Sequence, residues 1–105
     1  VKQPRTCPAE LTSTLIAGRW KIVILWYLFQ DVKRFSELRR TLAGVTQKVL
    51  TQQLREMERD GIIARKVFAQ VPPKVEYSVT PLGTSLKPVV EAMHQWGEAH
   101  VPAAE

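Results

Sequence analysis

The sequence predicts a mainly helical α+β fold carrying one small β-hairpin, and three features carry that expectation. A short helical segment, a glycine turn and a longer helical segment follow one another between Ser36 and Asp60. Two β-prone stretches then flank Pro72–Pro73, the second alternating at period two through Val75, Tyr77 and Val79. Finally, Thr80–Pro81 opens a further helical segment that runs toward the C-terminus.

In chain order, Pro8 introduces a helix over about residues 9–17, with Leu11, Leu15 and Ile16 at helical spacing. Proline suits a first turn because its missing N–H would have had no intrahelical partner there. A second helix over 19–29 is apolar on nearly all sides, which predicts a central, buried position. Lys33–Phe35 has an extended character, and Ser36 is expected to cap a short helix over 37–43. Glu37 is then well placed against the helix dipole. Gly44 suits a left-handed stop, and Thr46 an N-cap for the next helix, 47–60, which ends at Gly61. This order is the helix-turn-helix plan.

Strands over about 62–68 and 75–80 are joined by Gln70–Lys74, whose prolines cannot belong to a central strand. The pair forms a two-stranded hairpin with a stiff basic tip, a wing. The last helix is expected over 81–99, with an apolar stripe through Leu82, Leu86, Val89, Val90, Met93 and Trp96. Pro88 should kink it, since it removes a backbone donor and crowds the preceding turn. Residues 1–105 thus read as one winged helix-turn-helix domain.

Composition narrows the function classes. Fifteen Lys and Arg against ten Asp and Glu give a net charge of +5, which favours polyanions, nucleic acid above all. The single cysteine, Cys7, excludes an intrachain disulfide framework and a multi-cysteine zinc site, and His94 and His100 lack a companion cluster. No metal or other cofactor is therefore expected. The longest apolar run, Ile22 to Phe29, is far short of the roughly 18 residues that cross a bilayer. No signal peptide is visible at residues 1–7, and a cytoplasmic protein without membrane association is expected. Catalysis finds no G-x-S-x-G, no H-E-x-x-H and no phosphate-binding glycine loop, so no catalytic residue is assigned.

The longer helix of the pair supplies the candidate site. At about 100° per residue, Leu50, Leu54 and Met57 share one face, which packs inward. Lys48, Gln52, Arg55 and Arg59 cluster on the other side, with Thr51 at one flank and Gln47 at the N-terminal edge. A helix fits the major groove of DNA and its first turns approach the base edges. Gln47, Lys48, Thr51 and Gln52 are therefore assigned to base or near-base contacts, and Arg55 to base or backbone. Arg59 lies farther along, toward phosphate, solvent or Glu56 and Glu58. Around the wing, Arg65, Lys66 and Lys74 are candidates for phosphate or minor-groove contact, and Arg39 (with Arg40) for backbone contact unless paired with Glu37. The competing reading of this face is an ordinary solvated helix surface. A competing function is a winged-helix protein–protein adaptor that does not read DNA sequence. Trp20, Trp26, Tyr27 and Phe29 could line a small-molecule pocket, although core packing accounts for them more simply.

The chain also resembles the HxlR family of winged-helix regulators, relatives of the MarR-type proteins. The resemblance is carried by Gly18-Arg19-Trp20-Lys21, by Arg34-Phe35-Ser36-Glu37-Leu38, and by Val45-Thr46-Gln47-Lys48-Val49-Leu50-Thr51-Gln52. It continues through Leu54 to Gly61, through Val71-Pro72-Pro73-Lys74-Val75-Glu76-Tyr77, and through Thr80-Pro81-Leu82-Gly83. It implies a symmetric homodimer joined mainly by the first and last helices, double-stranded DNA as partner, and a recognition helix carrying Gln47 to Arg55. It further implies control of a nearby gene, often one of detoxification or redox metabolism.

Several members carry a cysteine just before the first helix and respond through it to oxidants or electrophiles. Here Cys7 precedes Pro8 at an expected helix N-terminus, with Lys2 and Arg5 nearby, surroundings of the kind that favour thiolate. The alternative is a small buried hydrophobe. With no second cysteine in the chain, a disulfide would have to form between chains or with a small thiol.

Overall fold

A computed structural model describes residues 7–101. The first helix, α1 (Pro8–Ile16), carries Pro8 in its first turn and buries Ile16. After Gly18 the chain enters α2 (Lys21–Gln30), two residues later than expected. Lys21, Ile24, Leu25 and Leu28 form its buried stripe. Ile22, Val23, Trp26, Tyr27 and Phe29 are only partly buried, so α2 is central without being enclosed on all sides. It touches the strand over 74–79, the helix over 47–59 and the last helix.

A two-residue strand, β1 (Lys33–Arg34), leads directly into α3 (Phe35–Thr41). Here the expectation fails in detail, because Arg34 and not Ser36 occupies the N-cap position. The Glu37 carboxylate reaches back to accept from the Arg34 N–H at 2.7 Å. That bond satisfies an otherwise free donor and starts the helix at Phe35, leaving Ser36 inside its first turn. Leu42 and Val45 are buried on either side of Gly44, whose φ of +89° takes the chain through a conformation that a side chain would strain.

Helix α4 (Gln47–Arg59) starts at Thr46, whose Oγ1 accepts from the Val49 N–H at 3.1 Å. Leu50, Leu54 and Met57 form its buried face, as the spacing predicts. Each side chain taken fully from water contributes about 1.5–3 kcal/mol, which is enough to fix the rotation of the helix about its axis. Strands β2 (Ile63–Phe68) and β3 (Lys74–Val79) pair antiparallel, and β1 joins the other edge of β3. The sheet thus has three strands in the order β1-β3-β2, and not the two of a bare hairpin. Pro72–Pro73 lie in the connection between β2 and β3.

The expected single last helix is two. Thr80 caps a short α5 (Pro81–Thr84), and α6 (Lys87–His100) follows with Pro88 in its first turn. A proline at 88 would clash with the carbonyl four residues earlier in a continuous helix. A break at Ser85–Leu86 removes the clash, so Pro88 starts a helix where it was expected to bend one. Of the predicted apolar stripe, Leu86 and Val90 enter the core, whereas Leu82, Val89, Met93 and Trp96 are exposed. The core residues, from Ile16 to Val90, form a connected cluster.

Candidate nucleic-acid interface

The burial of Leu50, Leu54 and Met57 turns the opposite face of α4 outward, where Gln47, Lys48, Gln52, Arg55, Glu58 and Arg59 are exposed and Thr51 is half-buried. The sheet then supplies a second wall. Gln47, Thr51 and Arg55 of α4 and Arg65 of β2 line one groove, floored by Phe35, Val75 and Tyr77 and bordered by Glu58. Lys48, Gln52 and Arg59 lie on the adjoining outer surface of the same helix. Three expected contact residues of α4 thus share a groove with Arg65, and Lys48 and Gln52 extend the same helix face beyond it.

The wing is divided by its pleat. Residues directly opposite in neighbouring strands share a face. Arg65 pairs with Tyr77, on the side that meets α4. Lys66 pairs with Glu76 and Phe68 with Lys74, and these four residues share the other face. Lys74 is ion-paired to Glu76 at 3.1 Å, and both lysine ammonium groups lie 4.9 Å from the Phe68 ring. Arg34 of β1 is opposite Glu76 from the other side. The period-two alternation through Val75, Tyr77 and Val79 already contained this division, which the grouping of Arg65, Lys66 and Lys74 overlooked.

Side chains on α3 and α2 brace the site. The Arg39 guanidinium donates to Gln47 Oε1 over a long 3.4 Å, tying α3 to the first residue of α4. Arg39 is therefore not held by Glu37, whose carboxylate accepts from Arg34. Lys21, a cation inside the apolar α2 stripe, bonds Glu56 Oε1 at 2.7 Å, its side chain only 9% exposed. The Lys21 hydrogen bond and charge hold the Glu56 carboxyl below its ordinary 4.5. Its other oxygen, Oε2, accepts from Gln52 Nε2 at 3.4 Å. Glu56, offered from spacing as a partner for Arg59, is instead bonded to Lys21. The signal for Lys21 was present: it stands three, four and seven residues before Ile24, Leu25 and Leu28 on the one buried stripe.

Elsewhere, Cys7 is exposed and occupies the N-cap position of α1. The nearby Lys2 and Arg5 lie outside the described residues. Trp26 and Tyr27 line an open groove between α2 and α6 with Ile22, Val23, Val90, Met93 and His94. Within it the Trp26 and His94 rings stack at 4.1 Å, and His94 bonds Glu98 at 3.3 Å. Phe29 lines a separate hollow with Trp26, Gln30, Lys87 and Glu91. His100 stacks on Trp96 at 4.2 Å. Among the described residues no helix is long and apolar enough to cross a membrane.

A helix-turn-helix with a sheet-borne wing and an outward polar face on its second helix is the architecture of a winged-helix transcriptional regulator. Comparison with known proteins gives the family. The model of the HxlR-like helix-turn-helix matches residues 15–105, and the chain belongs to that family. The match begins after Cys7–Pro8. The HTH-type transcriptional regulator YdeP of Bacillus subtilis (strain 168) is 51% identical over 94 residues, spanning 90% of this chain and 73% of that protein. Among solved structures, the redox regulator HypR in its oxidized form superposes with a TM-score of 0.88 at 47% identity, covering 92% of this chain and all of the other. The reduced form of the regulator YodB from B. subtilis gives 0.78 at 32% identity, covering 95% of this chain and all of the other. The protein is a transcriptional regulator with a helix-turn-helix domain and not an enzyme.

Proposed function

We propose that the chain is a cytoplasmic, sequence-specific DNA-binding regulator in which residues 1–105 act as one domain and two copies act together. Helix α4 enters the major groove, Gln47, Lys48, Thr51 and Gln52 meet base edges, and Arg55 meets a base or the backbone. Arg65, Lys66 and Lys74 of the wing and Arg39 of α3 contact the phosphate backbone or the minor groove. The observation that carries this reading is the convergence of Gln47, Thr51 and Arg55 with Arg65 on one exposed groove. A solvated helix face alone would have no wing residue opposite it.

The exposed Leu11 of α1 and Val89, Met93 and Trp96 of α6 support a homodimer joined through the first and last helices. In that dimer the two α4 helices would reach half-sites roughly 34 Å apart, one turn of DNA. The exposed position of Cys7 at a helix start supports a redox role, with an oxidant or electrophile as its reactant. A relative of similar fold, HypR, is described as a redox regulator with oxidized and reduced forms, and YodB has been treated with diamide.

The test is a binding titration on DNA upstream of the protein's own and neighbouring genes, first reduced and then after diamide, with Cys7→Ser alongside. The reading expects tight, selective binding that diamide weakens in the wild type and not in Cys7→Ser. Selective binding unaffected by diamide would remove the thiol sensor and leave the regulator. Equal, weak binding to every duplex would replace the regulator by the adaptor reading.

A further inference from the structure

Two of the three glutamines of α4, Gln47 and Gln52, are held by charges of opposite sign. A carboxamide presents an acceptor oxygen and a donor nitrogen, and free in water it can turn either outward. Gln47 faces the Arg39 guanidinium, which can only donate, so its oxygen is engaged and its NH2 is left outward. Gln52 faces the Glu56 carboxylate, which can only accept, so its NH2 is engaged and its oxygen is left outward. Lys21 holds the other oxygen of Glu56, and a carboxyl whose ordinary value is 4.5, lowered further here, is an ionised acceptor at neutral pH.

We propose that Arg39 and Glu56 are positioning residues that set the two recognition glutamines to opposite hydrogen-bonding polarity, and so fix which bases each reads. The proposal rests on the reading of α4 as the groove-entering helix. A donor-presenting Gln47 favours edges with acceptors, guanine O6 and N7 or thymine O4, and disfavours cytosine, whose groove edge offers the N4 donor. An acceptor-presenting Gln52 favours adenine and cytosine through their exocyclic amines and disfavours guanine and thymine. Adenine offers N7 to a donor as well as N6 to an acceptor, so Gln47 tolerates it too. Each half-site then carries one position that excludes cytosine and another that excludes guanine and thymine.

The deciding experiment is selection from a randomised operator library, followed by competition titrations on single-position variants of the selected site. Wild type, Gln52→Ala, Glu56→Gln, Arg39→Met and Lys21→Met are compared, each checked by thermal melting. In the wild type the disfavoured bases should lose roughly tenfold at each of the two positions. Glu56→Gln frees the Gln52 amide to turn, so guanine and thymine should become tolerated at the same position that Gln52→Ala relaxes, with the rest of the profile unchanged. Arg39→Met should admit cytosine at the Gln47 position. Lys21→Met should melt earlier yet keep the Gln52 preference, because Glu56 remains an acceptor.

If Glu56→Gln folds poorly with Lys21 left unpaired, the Lys21→Met/Glu56→Gln double variant answers the same question. Retention of the full preference in Glu56→Gln, or a uniform loss at every position, would overturn the proposal while leaving α4 as the reading helix. A Gln52→Ala profile identical to the wild type would also overturn it. No preference for any duplex by the wild type would overturn the reading of α4 and this proposal together.

Discussion

Gly83 of α5 packs against the backbone of Ile62, the residue before β2. A Cβ at this position would run into the Ile62 carbonyl oxygen, a backbone atom that cannot swing aside. Thr80 fixes the approach, its hydroxyl donating to the Gly61 carbonyl at 2.6 Å and accepting from the Gly83 N–H at 3.0 Å. The Thr80-Pro81-Leu82-Gly83 run is therefore a clasp that joins the end of the sheet to the last helices. Gly83→Ala should destabilise the fold by about 1–3 kcal/mol through overpacking, read from the urea midpoint. An unchanged midpoint would show that the clasp yields freely. Glu56 gives a second prediction. Its carboxyl is held below its ordinary 4.5 when folded, so its contribution is complete above about pH 4.5 and is lost as pH falls through the lowered value. Melting temperature should fall on acidification through that range, and this part of the fall should be smaller in Lys21→Met.

Among the elements, α4 was the most legible in the sequence, because its determinants are local. Thr46 stands three residues before the N–H it caps, Gly44 marks the turn, and Leu50, Leu54 and Met57 repeat at helical spacing. Thr46→Ala should cost about 1 kcal/mol, a drop of roughly 4–8 °C in Tm for a chain of this size. What escaped the sequence depends on contacts between elements. The Glu37 bond to the Arg34 N–H decided the start of α3 against Ser36. The pairing of Lys21 with Glu56 joins α2 to α4 across 35 positions of sequence, and no local pattern announces a partner at that range. The division of the last helix at Ser85–Leu86 could have been read from Pro88, because the clash with the carbonyl of residue 84 permits either a kink or a restart. Which of the two occurs is settled by how Leu86 and Val90 reach the core.

For the whole molecule, the uncovered apolar surface is the feature that a single copy does not explain. Trp96 is 63% exposed although it lies on the last helix with Val89 and Met93, and Leu11 of α1 is similarly open. In the proposed homodimer a second copy would cover these side chains. Trp96→Glu should convert a dimer to a monomer in sedimentation equilibrium at micromolar concentration, and should weaken operator binding by removing one of the two half-site contacts. A wild type that sediments as a monomer at all concentrations would refute the dimer. The net charge of +5 acts at the same scale, through non-specific attraction to any duplex, and carries no sequence information.

The claim that α4 reads sequence while the wing supplies affinity is tested most directly by a salt-dependent titration of operator against random duplex. Wild type, the Gln47→Ala/Gln52→Ala/Arg55→Ala triple variant and Arg65→Ala are measured in parallel. The account predicts a wild-type preference for operator on the order of a thousandfold or more. The triple variant should lose most of that ratio. Arg65→Ala should bind both duplexes more weakly, keep the ratio, and show a salt slope reduced by about one. A ratio that survives the triple variant would contradict the account.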